Sequence, residues 1–213
     1  GPALSRSGYG EQTRFALRAL KSFKDEIDIY IIPINWGETG WISESNEERL
    51  WMDDKIKATA NLGPENSNFD ISIQVTIPNE WERIAPVNIG VTAGIETNKV
   101  APIWLEKANL MDKIITISEH SQHVFENTSY EGTNSQTNAP MTLSCETEVK
   151  VVHYPVKEYE SLPELDLELD YDFNYLVVAQ HGPRKNLENT IRWFVEENID
   201  QKVGLVIKSF FKN

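Results

Sequence analysis

Near the end of the chain Tyr175-Leu176-Val177-Val178-Ala179-Gln180 leads into His181-Gly182-Pro183-Arg184-Lys185-Asn186, then an amphipathic stretch, then Val203-Gly204-Leu205-Val206-Ile207-Lys208. The first run is apolar on both faces, as in a buried parallel strand. Leu187, Ile191, Phe194 and Val195 recur at helical spacing, so the order is strand, loop, helix, strand. Arg184 and Lys185 then stand at the mouth of the helix, where unpaired N–H groups and the positive end of the helix dipole favour an anion. Two fixed cations there suit a phosphate or diphosphate, and the adjoining His181 could donate to a phosphate oxygen. The plainer reading is a solvated basic pair closing an ordinary βα loop.

The other end of the chain carries a matching device. Ser7-Gly8-Tyr9-Gly10 precedes Glu11 to Phe23, whose Phe15, Leu17, Leu20 and Phe23 predict a helix with one apolar face. Two glycines before a helix permit positive φ and close approach of a ligand to the backbone. A lone Gly-x-Gly is weak, but a loop of this kind in each half of an α/β chain is stronger. Between them, strands are expected over Ile27–Pro33, Phe69–Ile77, Val87–Val91, Lys113–Ile117 and Glu148–Tyr154. Helices are expected from about Glu47 to Ala60, from Pro102 through Met111, and from a Ser118 N-cap through Val124 and Phe125. This alternation predicts an α/β fold with a Rossmann-like, doubly wound, mostly parallel sheet. Asn127–Glu148, rich in Ser, Thr, Asn and Gly, is expected to be a mobile loop.

The acidic, proline-bearing stretch from Pro155 to Asp172 has the chemistry of a linker. The expected organisation is therefore a domain over 1–156, a linker over 157–173, and the opening βαβ of a second Rossmann-like domain over 174–213. Forty residues fall below the usual domain minimum of about fifty, so that second domain is expected to be cut short. Only Gly1–Arg6 precede the first glycine loop, which a buried strand usually feeds, so the front is expected to be cut as well.

A net charge of −13 argues against nucleic acid as a partner. No apolar run is long enough to span a bilayer and no signal-peptide pattern opens the chain. The single Cys145 cannot form an internal disulfide, which points to a reducing, cytoplasmic setting. Its polar surroundings suit a surface or packing thiol better than a nucleophile. His120 and His123 lie three apart on one expected helix without a third ligand nearby, and His153 reads as a packing residue. Trp36 and Trp41 flank glycines in a loop, where an aromatic platform for a sugar ring is one reading and loop packing the other. Glu38 and Glu96 are carboxylates on candidate cleft loops. A glycoside hydrolase needs two opposed carboxylates, and nothing in the sequence pairs these two.

Four places together resemble the retaining GT-B glycosyltransferases related to glycogen synthases and bacterial mannosyltransferases. They are Gly1-Pro2 through Gly10; Gly90-Val91-Thr92-Ala93-Gly94-Ile95-Glu96-Thr97 with Trp104; Met111 to Ser121 with its capping serine; and Gly182-Pro183-Arg184-Lys185-Asn186. The resemblance implies transfer of a sugar, with retention, from a nucleotide-diphospho-sugar held between two Rossmann-like domains. Arg184 and Lys185 would contact the donor diphosphate, and the backbone of Gly8, Tyr9 and Gly10 would approach the donor from the opposite wall. His181, Trp36, Trp41 and Glu96 are further candidate cleft contacts. It implies no metal and no other cofactor. A carbohydrate or lipid-linked acceptor fits, and the latter would bring peripheral membrane association. The chain departs from the family pattern at Gln74-Val75-Thr76-Ile77-Pro78, where many relatives carry a histidine before the proline. It also has no counterpart of the family's acidic pair late in the second domain. The alternatives are a doubly wound nucleotide-sugar epimerase or dehydrogenase, weakened by the lack of a Gly-x-Gly-x-x-Gly loop, and a non-catalytic nucleotide- or sugar-binding domain of the same fold.

Overall fold

The computed structural model describes residues 1–63, 68–133, 138–156, 158, 161–162 and 164–209. The chain divides into two compact units, Gly1–Val156 and Lys157–Asn213.

The first unit is α/β. Its elements run α1 (Gly8–Lys21), α2 (Glu47–Ala60), β1 (Ile71–Val75), β2 (Val87–Thr92), α3 (Pro102–Ala108), β3 (Lys113–Thr116), α4 (Glu119–Asn127), β4 (Ser129–Thr133), β5 (Pro140–Ser144) and β6 (Val149–Val151). Four strands form a parallel sheet in the order β1-β2-β3-β6. Local chemistry sets the helix starts. Asn46 and Ser118 each accept a hydrogen bond from the backbone N–H three residues on, at 2.9 and 3.2 Å, satisfying a donor the first turn leaves free. Pro102 occupies the first turn of α3, where its missing N–H costs nothing.

Two apolar clusters hold the unit together. One joins Trp81, Leu105, Met111, Ile114, Val124 and Phe125 around β3, α3 and α4. The other joins Ala3, Leu4, Leu17, Ile29, Ile31 and Met52, tying the first residues, α1, α2 and the 29–31 segment together.

Three sequence-based expectations need correction. Ile27–Pro33 is extended and buries Ile29 and Ile31, yet it joins no sheet among the described residues. The 127–148 stretch is largely structured: β4 and β5 form an antiparallel hairpin, with 134–137 outside the described residues. Tyr130 and Leu143 pack that hairpin on the core, and the Tyr130 hydroxyl donates to the Val100 carbonyl at 2.7 Å. Finally, α1 begins at Gly8 rather than Glu11, because Ser7 supplies the N-cap and accepts from Gly10 N–H at 3.0 Å.

In the second unit β7 (Phe173–Val178), α5 (Leu187–Asn198) and β8 (Val203–Lys208) form a βαβ with the two strands parallel. Tyr175 meets Phe194 edge to face at 5.8 Å, which seats the helix on the strand pair. The described residues between Val156 and β7 form no helix or strand, and 157, 159, 160 and 163 lie outside the description. Among the described residues no helix is long and apolar enough to cross a membrane.

Burial lowers the Gly1 ammonium pKa from 8.0 to about 6, against the opposing attraction of Glu80. Between those values the unfolded chain holds a proton that the folded chain does not. Stability is therefore expected to rise as pH goes from about 6 to 8. Denaturant melts of the free and Nα-acetylated chain check this: acetylation should flatten that part of the profile.

Candidate functional site

The site is built where the first ten residues meet the carboxyl end of β2. Gly10 lies in the first turn of α1, and a Cβ there would sit 2.1 Å from the Ser5 carbonyl oxygen. Glycine is thus required by close approach, since neither Gly8 nor Gly10 has a positive φ. Arg14 is only 6% exposed and donates to the carbonyls of Ala3 and Ser5 at 2.8 and 2.9 Å. Its other edge meets Glu11 at 2.6 Å. Burial opposes the Glu11 charge, but Arg18 and Arg14 outweigh it and hold the carboxyl below its usual pKa. The loop from 1 to 6 is therefore clamped from inside.

A second loop is tied onto the first. Ser5 Oγ and Thr39 Oγ1 lie 2.6 Å apart, Arg6 N–H donates to Gly40 O at 2.7 Å, and Ile42 N–H donates to Leu4 O at 2.9 Å. These bonds bring the half-buried Trp36 ring to 4.6 Å from Tyr9, tilted by 43°. The Tyr9 hydroxyl lies 2.9 Å from Thr92 Oγ1 and accepts from Ala93 N–H at 3.2 Å. Burial pushes the phenol pKa up; the Thr92 and Ala93 hydrogen bonds work against this, and the charges of Glu80 and Glu96 add to it.

Gly94 follows with φ +76, and a Cβ there would meet Ser121 Oγ at 2.1 Å. Both its conformation and its packing on the start of α4 exclude a side chain. Nearby, the Tyr154 hydroxyl donates to Gln12 Oε1 at 3.4 Å, and burial followed by the proximity of Tyr9 raises its pKa. His153 is exposed rather than packed, its ring nitrogens 3.0 Å from the Ile117 carbonyl and 3.2 Å from Glu119.

Tyr9 and Trp36, singled out in the sequence, thus come together, and the charge of Glu96 reaches the Tyr9 hydroxyl. Trp41 is 56% exposed and touches this region through a backbone bridge to Ser5. Trp104, expected on the acceptor side, stacks on Phe125 in the core at 6.1 Å. Sequence reasoning missed Gln12 and Tyr154, and it quoted Thr92 without a role. A threonine ending a buried strand was the available signal for Thr92; Gln12 and Tyr154 are 142 residues apart and carried none. Cys145 is half-buried and burial raises its thiol pKa, as befits a packing thiol. Among the described residues no group of three or more His, Cys, Asp or Glu is placed to hold a metal.

In the second unit, Pro183–Lys185 form a single 3₁₀ turn, Asn186 follows in the left-handed region at φ 49, and α5 begins at Leu187. His181, Arg184 and Lys185 are exposed on this approach to the helix.

The Tyr9 cluster offers the half-buried Trp36 as an aromatic face, over a Tyr9 hydroxyl, a fully buried Thr92 and an Ala93 N–H that bond one another, with carboxylates as its nearby charges and Arg14 committed to backbone carbonyls. Such a surface suits a neutral polyhydroxylated ligand better than a phosphate, whereas the Arg184–Lys185 turn suits an anion. Comparison with protein-family models, curated proteins and solved structures finds no match.

Tyr9→Phe keeps the ring against Trp36 but removes the acceptor for Ala93 N–H and the partner of Thr92. It is expected to cost about 1–2 kcal/mol, read as a lower denaturation midpoint with an unchanged slope.

Proposed function

We propose that the chain belongs to a GT-B-type glycosyltransferase that moves a sugar, with retention, from a nucleotide-diphospho-sugar to a carbohydrate or lipid-linked acceptor. The observation that carries this reading is the Tyr9–Trp36–Thr92 cluster at the carboxyl end of a parallel strand, the end at which open α/β sheets bind ligands. It is an acceptor-side surface in this reading, with Trp36 the platform and the Tyr9–Thr92 bond beneath it fixing the ring's support. In the second unit the Arg184–Lys185 turn and the start of α5 take the donor diphosphate. As the glycosidic bond breaks, negative charge grows on the departing nucleoside diphosphate, and fixed cations beside a helix N-terminus lower the energy of that state.

The test is incubation of the full-length protein with a panel of sugar nucleotides and carbohydrate or lipid-linked acceptors, following release of nucleoside diphosphate and the anomeric form of the product. Sugar transfer with the donor's anomeric configuration kept supports the reading. Transfer with inversion, or dinucleotide binding without transfer, contradicts it.

A further inference from the structure

Trp41 lies on a segment that crosses the first loop as a short antiparallel pair. Ser5 and Trp41 stand opposite each other, flanked by the bonds from Arg6 N–H to Gly40 O and from Ile42 N–H to Leu4 O. In a pair flanked this way the two opposed side chains project from the same face. Leu4, Arg6, Ile42 and Glu44 take the other face, where Leu4 enters the core and Arg6 meets Glu44 at 2.9 Å. The Trp41 indole is left on the side of the Ser5 hydroxyl, more than half exposed.

From Ser5 the contacts run on to Trp36. Ser5 Oγ lies 2.6 Å from Thr39 Oγ1, which donates to Trp36 O at 2.7 Å, and Ser5 also donates to Ser7 Oγ at 2.9 Å. Ser7 and Thr39 are half-buried. A hydroxyl has one donor and two acceptor positions. These bonds, with Gly10 N–H donating to Ser7, fill two of the three at Ser7 and at Thr39, so one on each remains for a ligand hydroxyl. The turn from Trp36 to Thr39 is closed by a 3.3 Å backbone bond. The Cα atoms of Trp36 and Trp41 are therefore within about 14 Å, the turn accounting for about 7 Å and the next two residues for the rest.

We propose that Trp36 and Trp41 are two platforms of one site for a linear oligosaccharide, joined by the Ser7 and Thr39 hydroxyls, so that the acceptor is a chain of at least two linked sugars. This rests on the reading of the Tyr9–Trp36 cluster as an acceptor surface. A sugar ring offers an apolar C–H face and a rim of hydroxyls, which matches indoles separated by hydroxyls. Gly37, Glu38 and Gly40 are exposed between the indoles and break the apolar surface that an acyl chain needs. The carboxylate charges felt at Tyr9 disfavour an anionic chain. The bonds between the two loops hold both platforms in place before binding, which lowers the ordering cost.

The test is calorimetric and ¹⁵N-NMR titration of the full chain, without any donor, using glucose and mannose and their linear homo-oligosaccharides. The single sugars are expected to shift the Trp36 indole N–H. The longer chains should shift both indoles and bind roughly three- to tenfold tighter, the scale of one further stacked ring. Trp41→Ala should remove that gain and Trp41→Phe should keep it, with melting temperature as the folding control. Equal affinity at every length, a gain that survives Trp41→Ala, or silence at both indoles would overturn the proposal. So would shifts at Trp41 with phosphatidylcholine vesicles and not with sugars. Sugar transfer is read separately. Length-dependent binding in a protein that transfers no sugar would uphold the two platforms and contradict the transferase, and transfer indifferent to acceptor length would do the reverse.

Discussion

Replacing Gly10 by alanine is expected to destabilise the first unit by on the order of 3 kcal/mol, near the upper end for overpacking a close contact. The added Cβ would stand 2.1 Å from the Ser5 carbonyl oxygen. The obstacle is backbone, held by Arg14 from inside and by Thr39 and Gly40 from outside, so no side chain can swing away to relieve it. The loop must shift, and with it the contacts that set Trp36 against Tyr9. Gly8→Ala is the control. Nothing lies within 4 Å of a Cβ there, and the residue is helical, so alanine should be neutral or stabilise by up to about 1 kcal/mol. Urea melts of both variants check the contrast, and a Gly10→Ala midpoint equal to wild type would contradict the geometry.

Lys185→Ala carries the second large effect. An exposed lysine on the turn before α5 contributes little to folding. If it holds a diphosphate, its loss removes a charge-assisted bond worth roughly 1.5–3 kcal/mol, or about ten- to a hundredfold in affinity. Arg184→Ala should act in the same direction. Both losses should shrink as salt rises, because screening already weakens the wild-type contact. Calorimetric titration with nucleoside diphosphates, with melting temperature as the folding control, reads the effect. Unchanged affinity in both variants at normal melting would leave the pair as an ordinary solvated loop.

Where local chemistry decides, the sequence was readable. The cap at Ser118, the proline opening α3 and the apolar runs of β2, β3, β7 and β8 each carry their own signal, and the parallel sheet follows from their alternation. The failures share a physical cause, namely dependence on distant partners. Ile27–Pro33 has the composition of a strand, but among the described residues its backbone makes one parallel rung, with Gly1, and no ladder. The β4–β5 hairpin reads as a polar loop because it sends few apolar side chains to the core, Tyr130 and Leu143 among them, while main-chain pairing and the Asn109 bond to the Ser144 carbonyl do the rest. Gly8 and Gly10 read as a loop because two glycines suggest one, whereas the cap at Ser7 draws them into the first turn of α1. Tyr9 and Trp36 were named individually. Their meeting depends on the bonds between the 1–6 and 36–42 loops, which no spacing encodes.

The most direct test of the proposed function is an NMR titration of the ¹⁵N-labelled chain, first with nucleoside diphosphates and then with simple carbohydrates. The account predicts that the diphosphate shifts the amides of Arg184 to Leu187 and that the carbohydrate shifts the Trp36 indole N–H and the amides of Ala93 and Gly94. Shifts confined to other residues, or none at either cluster up to millimolar ligand, would contradict it.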